Sequence, residues 1–172
     1  AALTYQHAVN QGTWSDPGPG TSAAVTFPEG AARFDVRSID PAGNVGQPLT
    51  VSFTVDLTPP AVANATITPD ITGAVLSFDT AGDASTSRVR YGAVPGSPDA
   101  TAVEAGPAEI HKINLSALKP NTTYYYTIEA TDRAGNVTLQ PEASFGTLPD
   151  NVPPDTVITA GPAEGSWQSA AS

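Results

Sequence analysis

Residues 34–45 read FDVRSIDPAGNV, and residues 126–137 read YTIEATDRAGNV. The two stretches start 92 residues apart, which is close to the length of one β-sandwich domain. Each alternates apolar and polar residues, reaches an Asp-x-Ala-Gly-Asn turn, and is followed by another alternating stretch and two prolines. Alternation with a period of two is typical of a half-buried antiparallel strand. The repeat therefore predicts two β-sandwich modules, each ending in this pair of strands and a stiff linker.

The residues between the two linkers, about 61–149, predict one complete module. Gly, Pro, Asn and Asp turns separate its alternating stretches, and each stretch places apolar side chains on one face. The predicted inward-facing rows are Ala74, Leu76 and Phe78; Ser87, Val89 and Tyr91; His111, Ile113 and Leu115; Tyr124, Tyr126, Ile128 and Ala130; and Ala143 and Phe145. We predict an antiparallel β-sandwich for this part of the chain.

The composition excludes several classes of function. The chain has 7 Lys and Arg against 17 Asp and Glu, a formal net charge of −10, so it lacks the basic clusters that neutralise nucleic-acid phosphates. It has no cysteine, which excludes disulfides and thiolate metal sites. No apolar run approaches the roughly 20 residues that a membrane helix needs, so we predict no membrane insertion.

Two short stretches of the middle module resemble a known family. Residues 118–124, LKPNTTY, resemble the tyrosine-corner segment of fibronectin type III domains, and residues 86–92, TSRVRYG, look like the third strand of bacterial modules of this type. The resemblance implies that the Tyr124 hydroxyl bonds to nearby backbone and fixes the turn into the next strand, in a corner that includes Leu118 and Pro120. Phe78 stands where many members of the family carry a tryptophan.

The two ends of the chain resemble parts of a different module. Residues 1–58 are similar to the closing part of an immunoglobulin-like repeat of bacterial surface proteins, without its first strands. Residues 155–172 resemble the opening strand of the same repeat type. We therefore predict an all-β chain of tandem antiparallel β-sandwiches, immunoglobulin-like and fibronectin type III-like, in an extended arrangement.

Two interpretations of the incomplete first module stay open. In the favoured one, the chain is an excerpt from a long tandem array, because it opens in mid-pattern at Ala1-Ala2-Leu3 without a signal peptide. In the other, the tail of one chain completes the first module of its neighbour by adding a strand to an open edge. Unpaired backbone and a half-open core are costly, so both interpretations require that something supplies the missing strands.

Carboxylate and amide side chains occur at both repeated turns and in the linkers. Loop oxygens of this kind are the ligands that calcium prefers, so calcium at the module junctions is one hypothesis. Its candidate ligands are Asp40, Asn44, Asp56, Asp132, Asn136, Asp150 and Asp155. The alternative is a purely structural turn, in which Asp accepts hydrogen bonds from its own turn and Gly takes the positive φ. We favour the structural turn, because neither stretch has the acidic spacing of an EF-hand loop, and we predict no other cofactor.

No residue pattern predicts catalysis. His7 and His111 lie on predicted inward faces, and neither belongs to a His-x-His or Glu-x-x-His pair. No Gly-x-Ser-x-Gly elbow occurs. Trp14, Tyr125 and Trp167 give a further hypothesis, a stacking platform for sugar rings, although single exposed aromatic residues are ordinary on protein surfaces.

The resemblance implies an architectural and non-enzymatic role outside the cell or at its surface, as a stalk, sheath, surface-layer or filament segment of a bacterial protein. The expected partners are neighbouring modules of the same protein or like subunits, with cell-envelope polysaccharide as a further partner. The alternative function is that of adhesive or carbohydrate-binding accessory modules in a secreted enzyme or adhesin.

Overall fold

The structure is a computed structural model that describes residues 2–153. This part of the chain contains eleven strands and no helix. The strands are β1 Thr4–Val9, β2 Gly30–Ile39, β3 Leu49–Val55, β4 Ala63–Pro69, β5 Ala74–Asp79, β6 Thr86–Gly92, β7 Ala100–Val103, β8 Ile110–Leu115, β9 Thr123–Thr131, β10 Val137–Leu139 and β11 Ala143–Gly146. The all-β prediction is thus confirmed, while the predicted opening strand at 155–172 lies outside the described residues.

The first three strands form an antiparallel sheet in the order β1-β2-β3, which we call the first sheet. Its register places Val36 between His7 of β1 and Leu49 of β3, so the apolar residues of the three strands share one face. After β1 the chain turns at Asn10 and Gln11, which both adopt positive φ. It then returns along the free edge of β1 as far as Gly18.

The remaining strands form a sandwich of two sheets. One sheet has the order β4-β5-β8, and the other has the order β10-β9-β6-β7, with β11 also paired to β9. The core between the sheets consists of Ala74, Leu76, Phe78, Val89, Tyr91, Ile113, Leu115, Leu118, Tyr124, Ile128 and Phe145. These buried residues come from every inward-facing row that the alternation predicts.

Two features of the sandwich are absent from the sequence prediction. Strand β7, Ala100–Val103, has only four residues and small alanines on its inner side, so it leaves no clear apolar pattern. The closing strand is divided into β10 and β11, because Pro141 between them has no N–H to donate to a neighbouring strand. Among residues 2–153, no helix is long and apolar enough to cross a membrane.

Candidate functional site

The first Asp-x-Ala-Gly-Asn turn is closed by its own aspartate. Asp40 Oδ1 accepts hydrogen bonds from the backbone N–H groups of Ala42 at 2.9 Å and Asn44 at 2.8 Å, and Asp40 Oδ2 accepts one from Asn44 Nδ2 at 2.8 Å. Gly43 supplies the positive φ of 87° that the turn requires. The side-chain bond from Asn44, followed by the backbone bonds, lowers the pKa of Asp40.

The second turn has the same geometry in a more buried position. The backbone N–H and Nδ2 of Asn136 each donate to the Asp132 carboxylate at 2.8 Å, and Gly135 has a φ of 94°. Asp132 is buried, which by itself raises its pKa. The hydrogen bonds from Asn136, Gly135 and Ala134 outweigh this burial, so the pKa of Asp132 is lowered.

The second turn also holds the linker that precedes the sandwich. Asn136 Nδ2 lies 3.1 Å from the carbonyl oxygen of Asp56 and 3.5 Å from that of Thr58, and Thr138 Oγ1 donates to the carbonyl of Pro60 at 2.6 Å. The linker is itself shaped by Asp56 Oδ1, which accepts from the Thr58 N–H at 3.1 Å. We call this contact between residues 56–60 and 132–138 the joint.

The joint lies in an acidic environment. Burial raises the pKa of Asp83, and the negative charges of Asp132, Asp56 and Glu109 raise it further. Within residues 2–153, however, no three Asp, Glu or His side chains are placed to hold a metal ion together.

The residues predicted as calcium ligands lie in three separate places. At the joint, Asn136 donates both to the backbone carbonyl of Asp56 and to the Asp132 carboxylate, while Asp40 and Asn44 bond to each other in the first turn. Asp150 Oδ1 accepts from the Val152 N–H at 3.0 Å, as Asp56 does from Thr58. Asp155 lies outside the described residues, and calcium binding stays a prediction.

The loop before β9 is fixed by the hydroxyl of Tyr124, which accepts a hydrogen bond from the Lys119 N–H at 2.9 Å. This is the bond that a tyrosine corner requires. Leu118 is buried beside it, and Thr122 Oγ1 donates to the carbonyl of Pro120 at 2.9 Å. The corner therefore sets the direction in which the chain enters β9.

His111 is at the centre of a buried polar network inside the sandwich. Its ring stacks on Phe78, with 4.5 Å between the ring centroids. Nε2 lies 3.1 Å from Thr80 Oγ1 and 3.3 Å from Ser85 Oγ. Nδ1 lies 2.9 Å from Ser87 Oγ and 2.5 Å from Glu104 Oε2.

The network has a structural role, because His111, Thr80 and Ser85 are fully buried and a substrate cannot reach them. The sequence placed His111 on an inward face but did not predict its four polar partners. The one signal was Ser87, a polar residue in a predicted inward row, since a buried hydroxyl needs a hydrogen-bond partner.

Trp14 and Tyr125, the two residues of the platform hypothesis within residues 2–153, belong to different parts of the fold. The guanidinium of Arg37 lies 4.0 Å above the ring of Trp14, beside the first sheet, and also donates to Gln6 Oε1. Tyr125 belongs to β9 of the sandwich, and Trp167 lies outside the described residues. His7 stacks on Phe34 across the apolar face of the first sheet, at 5.8 Å between ring centroids.

A family model described as the N-terminal domain of purple acid phosphatase matches residues 59–147, which include the whole sandwich. The match covers about half of the chain. The chain belongs to this family. The family model describes a non-catalytic domain of fibronectin type III-like or immunoglobulin-like fold, which agrees with the two packed sheets of residues 63–146.

Solved structures similar to the chain are fibronectin type III domains. The FN1–FN3 domains of chicken CNTN1 are 15% identical, with a TM-score of 0.49 over 85% of this chain and 56% of that one. Two domains of human fibronectin type III domain containing protein 3 are 16% and 21% identical. They cover 60% and 59% of this chain and 100% and 98% of their own, with TM-scores of 0.44 and 0.43. Similarities of this size concern the fold alone.

Proposed function

We propose that the chain is a non-catalytic, architectural part of an extracellular bacterial surface protein in which β-sandwich modules follow one another in an extended array. The joint is the observation that supports this proposal most. One side chain, Asn136, both closes a turn of the sandwich and bonds to the linker that precedes it. Such a contact restrains the angle at which one module follows the next.

The joint consists of a turn and a linker, and the chain contains a second turn and a second linker of the same types. The turn at Asp40–Asn44 repeats the hydrogen bonds of the turn at Asp132–Asn136, and Asp150 caps its linker as Asp56 does. A unit with a linker-binding turn and a linker of the same type is suited to serial repetition. Prolines in both linkers add stiffness, which favours an extended arrangement.

Burial and charge support the same proposal. The most elaborate polar cluster, around His111, is enclosed in the core of the sandwich and stabilises it from within. The formal charge of −10 favours solubility and mutual repulsion between neighbouring chains.

The family match favours a second candidate, an accessory module attached to a secreted hydrolase. The matching model is that of the N-terminal domain of a phosphatase, so the sandwich would stand beside a catalytic domain and position it or bind cell-envelope polysaccharide. A half-buried aromatic side chain on a strand of the sandwich, Tyr125, would then contact the polysaccharide.

Solution scattering and polysaccharide pelleting together test the two candidates. For the architectural role, we expect small-angle X-ray scattering to give one fixed maximum dimension at low and at physiological salt, and a broader distance distribution for Asn136→Ala. We also expect the chain to stay in the supernatant with insoluble peptidoglycan or chitin. Pelleting that Tyr125→Ala abolishes would instead support the accessory role.

A further inference from the structure

The first sheet has one apolar face, which we call the open face. It consists of Tyr5, His7 and Val9 of β1, Ala32, Phe34 and Val36 of β2, and Leu49, Val51 and Phe53 of β3. Among residues 2–153, no strand outside this sheet lies over it. Leu49 and Val51 are therefore 65% and 51% exposed, although both belong to an apolar row. Burying such side chains is worth about 1.5–3 kcal/mol each, so the face is expected to have a partner.

The sequence repeat shows what covers the equivalent face in the sandwich. Phe53 and Phe145 occupy the same position of the repeat, and they pair with Ala32 and Tyr124, which also correspond. Phe145 is 8% exposed and Phe53 is 40% exposed. The difference arises because the sheet β4-β5-β8 covers Phe145. The open face is thus the inner face of a sandwich that lacks its second layer.

The chain segment before β2 already lies over the open face. The ring of Phe27 packs against Phe53 at 4.9 Å and against Phe34 at 6.4 Å between ring centroids. Within the described chain, no backbone N–H or C=O of residues 19–28 forms a hydrogen bond. Strand β8, the strand that comes before β9 in the sandwich, is paired along its length with β5. Residues 22–28, which lie outside the named strands, therefore present backbone groups that have no hydrogen-bond partner in the described chain.

We propose that the open face and residues 22–28 bind the opening β-hairpin of an immunoglobulin-like module, the counterpart of β4 and β5. Its second strand pairs with residues 22–28 as β5 pairs with β8, and its alternate apolar side chains pack on the open face. A cleft of about 560 Å³ on this face, lined by His7, Phe34 and Val36 among others, accommodates those side chains. This inference rests on the proposed function, because in a tandem array the hairpin is the stretch directly before β1.

The described residues favour this hairpin over a second copy of the chain or its tail. Residues 2–153 contain one such hairpin, β4–β5, but its side chains Ala74, Leu76 and Phe78 are buried in the sandwich and are released only by unfolding. Two open faces packed together would leave the backbone of residues 22–28 unpaired. The sequence at 155–172 resembles an opening strand, the counterpart of β4, and β4 pairs with β5 rather than with β8.

A fusion supplies the missing hairpin and tests the proposal. A second copy of Ala63–Asp79 is attached to the start of the full chain through a flexible Gly-Ser linker. The control carries Leu76→Asp and Phe78→Asp in the added copy only. We expect the added hairpin to slow amide hydrogen exchange in residues 22–28 by about tenfold or more and to lower the fluorescence of a dye that binds apolar surface. The control hairpin is expected to change neither.

Two results would overturn the proposal. One is unchanged exchange in residues 22–28 with both hairpins. The other is a dimer of the unmodified chain, shown by light scattering, in which the same amides are protected, because the face would then belong to a second copy. The proposed function is judged separately, by exchange of the linker amides of Leu57 and Thr58 and by the scattering profile, and neither depends on the added hairpin.

Discussion

The side-chain amide of Asn136 donates a hydrogen bond to the carbonyl oxygen of Asp56, 80 residues earlier in the chain, at 3.1 Å. The same nitrogen lies 2.8 Å from the carboxylate of Asp132, so one amide group joins the turn to the linker. Asn44 makes the equivalent bond to Asp40 at 2.8 Å, and within the described residues its side chain bonds to nothing else. A comparison of variants at Asn44 and Asn136 therefore distinguishes the effect of losing the turn bond from the effect of losing the bond to the linker.

Asn136→Ala is expected to loosen the linker and to lower the free energy of unfolding of the sandwich by about 1–2 kcal/mol, since hydrogen bonds of about 1 kcal/mol each are lost. Hydrogen exchange at the amides of Leu57 and Thr58 measures the linker, and urea unfolding measures the stability. Asn44→Ala is the matched control, which removes a turn bond and leaves linker exchange unchanged. Equal rates of amide exchange at Leu57 and Thr58 in Asn136→Ala and Asn44→Ala would show that Asn136 does not hold the linker.

Acid is expected to destabilise the sandwich partly through Asp132. Its pKa is lower in the folded chain than in the unfolded chain, where an aspartate titrates at about 3.9. The ionised carboxylate therefore stabilises the fold above that unfolded value, and the contribution is lost as the pH falls through the folded pKa. Asp132→Asn should lower the melting temperature at neutral pH and flatten its decline in acid. Parallel melting profiles for wild type and variant would contradict this assignment.

Asp83 is expected to change the pH dependence of stability in the direction opposite to that of Asp132. Burial, and then the charges of Asp132, Asp56 and Glu109, raise its pKa in the folded chain, so its ionised form is disfavoured there. The contribution of Asp83 to the free energy of unfolding is fully present below its pKa in the unfolded chain. It is lost as the pH rises through its pKa in the folded chain. Asp83→Asn should therefore raise the melting temperature at neutral pH, most strongly at low salt, and have little effect in acid. A lower melting temperature at neutral pH would show that Asp83 has another role.

The sequence predicts the sandwich well because its strands are half-buried. A period of two places Leu76, Val89 and Ile128 inward, and all three are buried in the core. The corner around Tyr124 is equally accessible to prediction, since its main bond, to the backbone of Lys119, joins residues five positions apart. Features that depend on neighbours along the chain are thus predicted by local patterns.

The joint and the His111 network are not predictable in this way. The turn at Asp132–Asn136 is visible in the sequence, but nothing local shows that Asn136 also reaches Asp56. The partners of His111 come from three places, namely the end of β5, the start of β6 and the end of β7, and the alternation of apolar and polar residues marks only Ser87 as inward-facing. Contacts of this kind are fixed by the packing of the two sheets rather than by local sequence.

Tyr124→Phe tests the tyrosine corner by removing a single oxygen atom, that of the hydroxyl group. The change removes the acceptor for the Lys119 N–H while the ring keeps its packing against Phe145, so we expect a loss of about 1–2 kcal/mol in urea unfolding. Tyr125→Phe is the control, because no hydrogen bond of its hydroxyl occurs in the described residues. It should change stability by less than about 0.5 kcal/mol. Equal effects of the two variants would mean that the corner bond contributes nothing.

His111→Leu is expected to be the most destabilising of these changes, at about 3 kcal/mol or more. The leucine fills similar space but leaves the Glu104 carboxylate and the hydroxyls of Thr80, Ser85 and Ser87 without their shared partner. If the orphaned carboxylate is the main cost, adding Glu104→Leu should recover part of the loss, which a double-mutant cycle in urea measures. Lys112→Ala, one residue along β8 and exposed, is the control with little expected effect. A loss in the double variant equal to the sum of the two single losses would show that Glu104 stabilises the sandwich independently of His111.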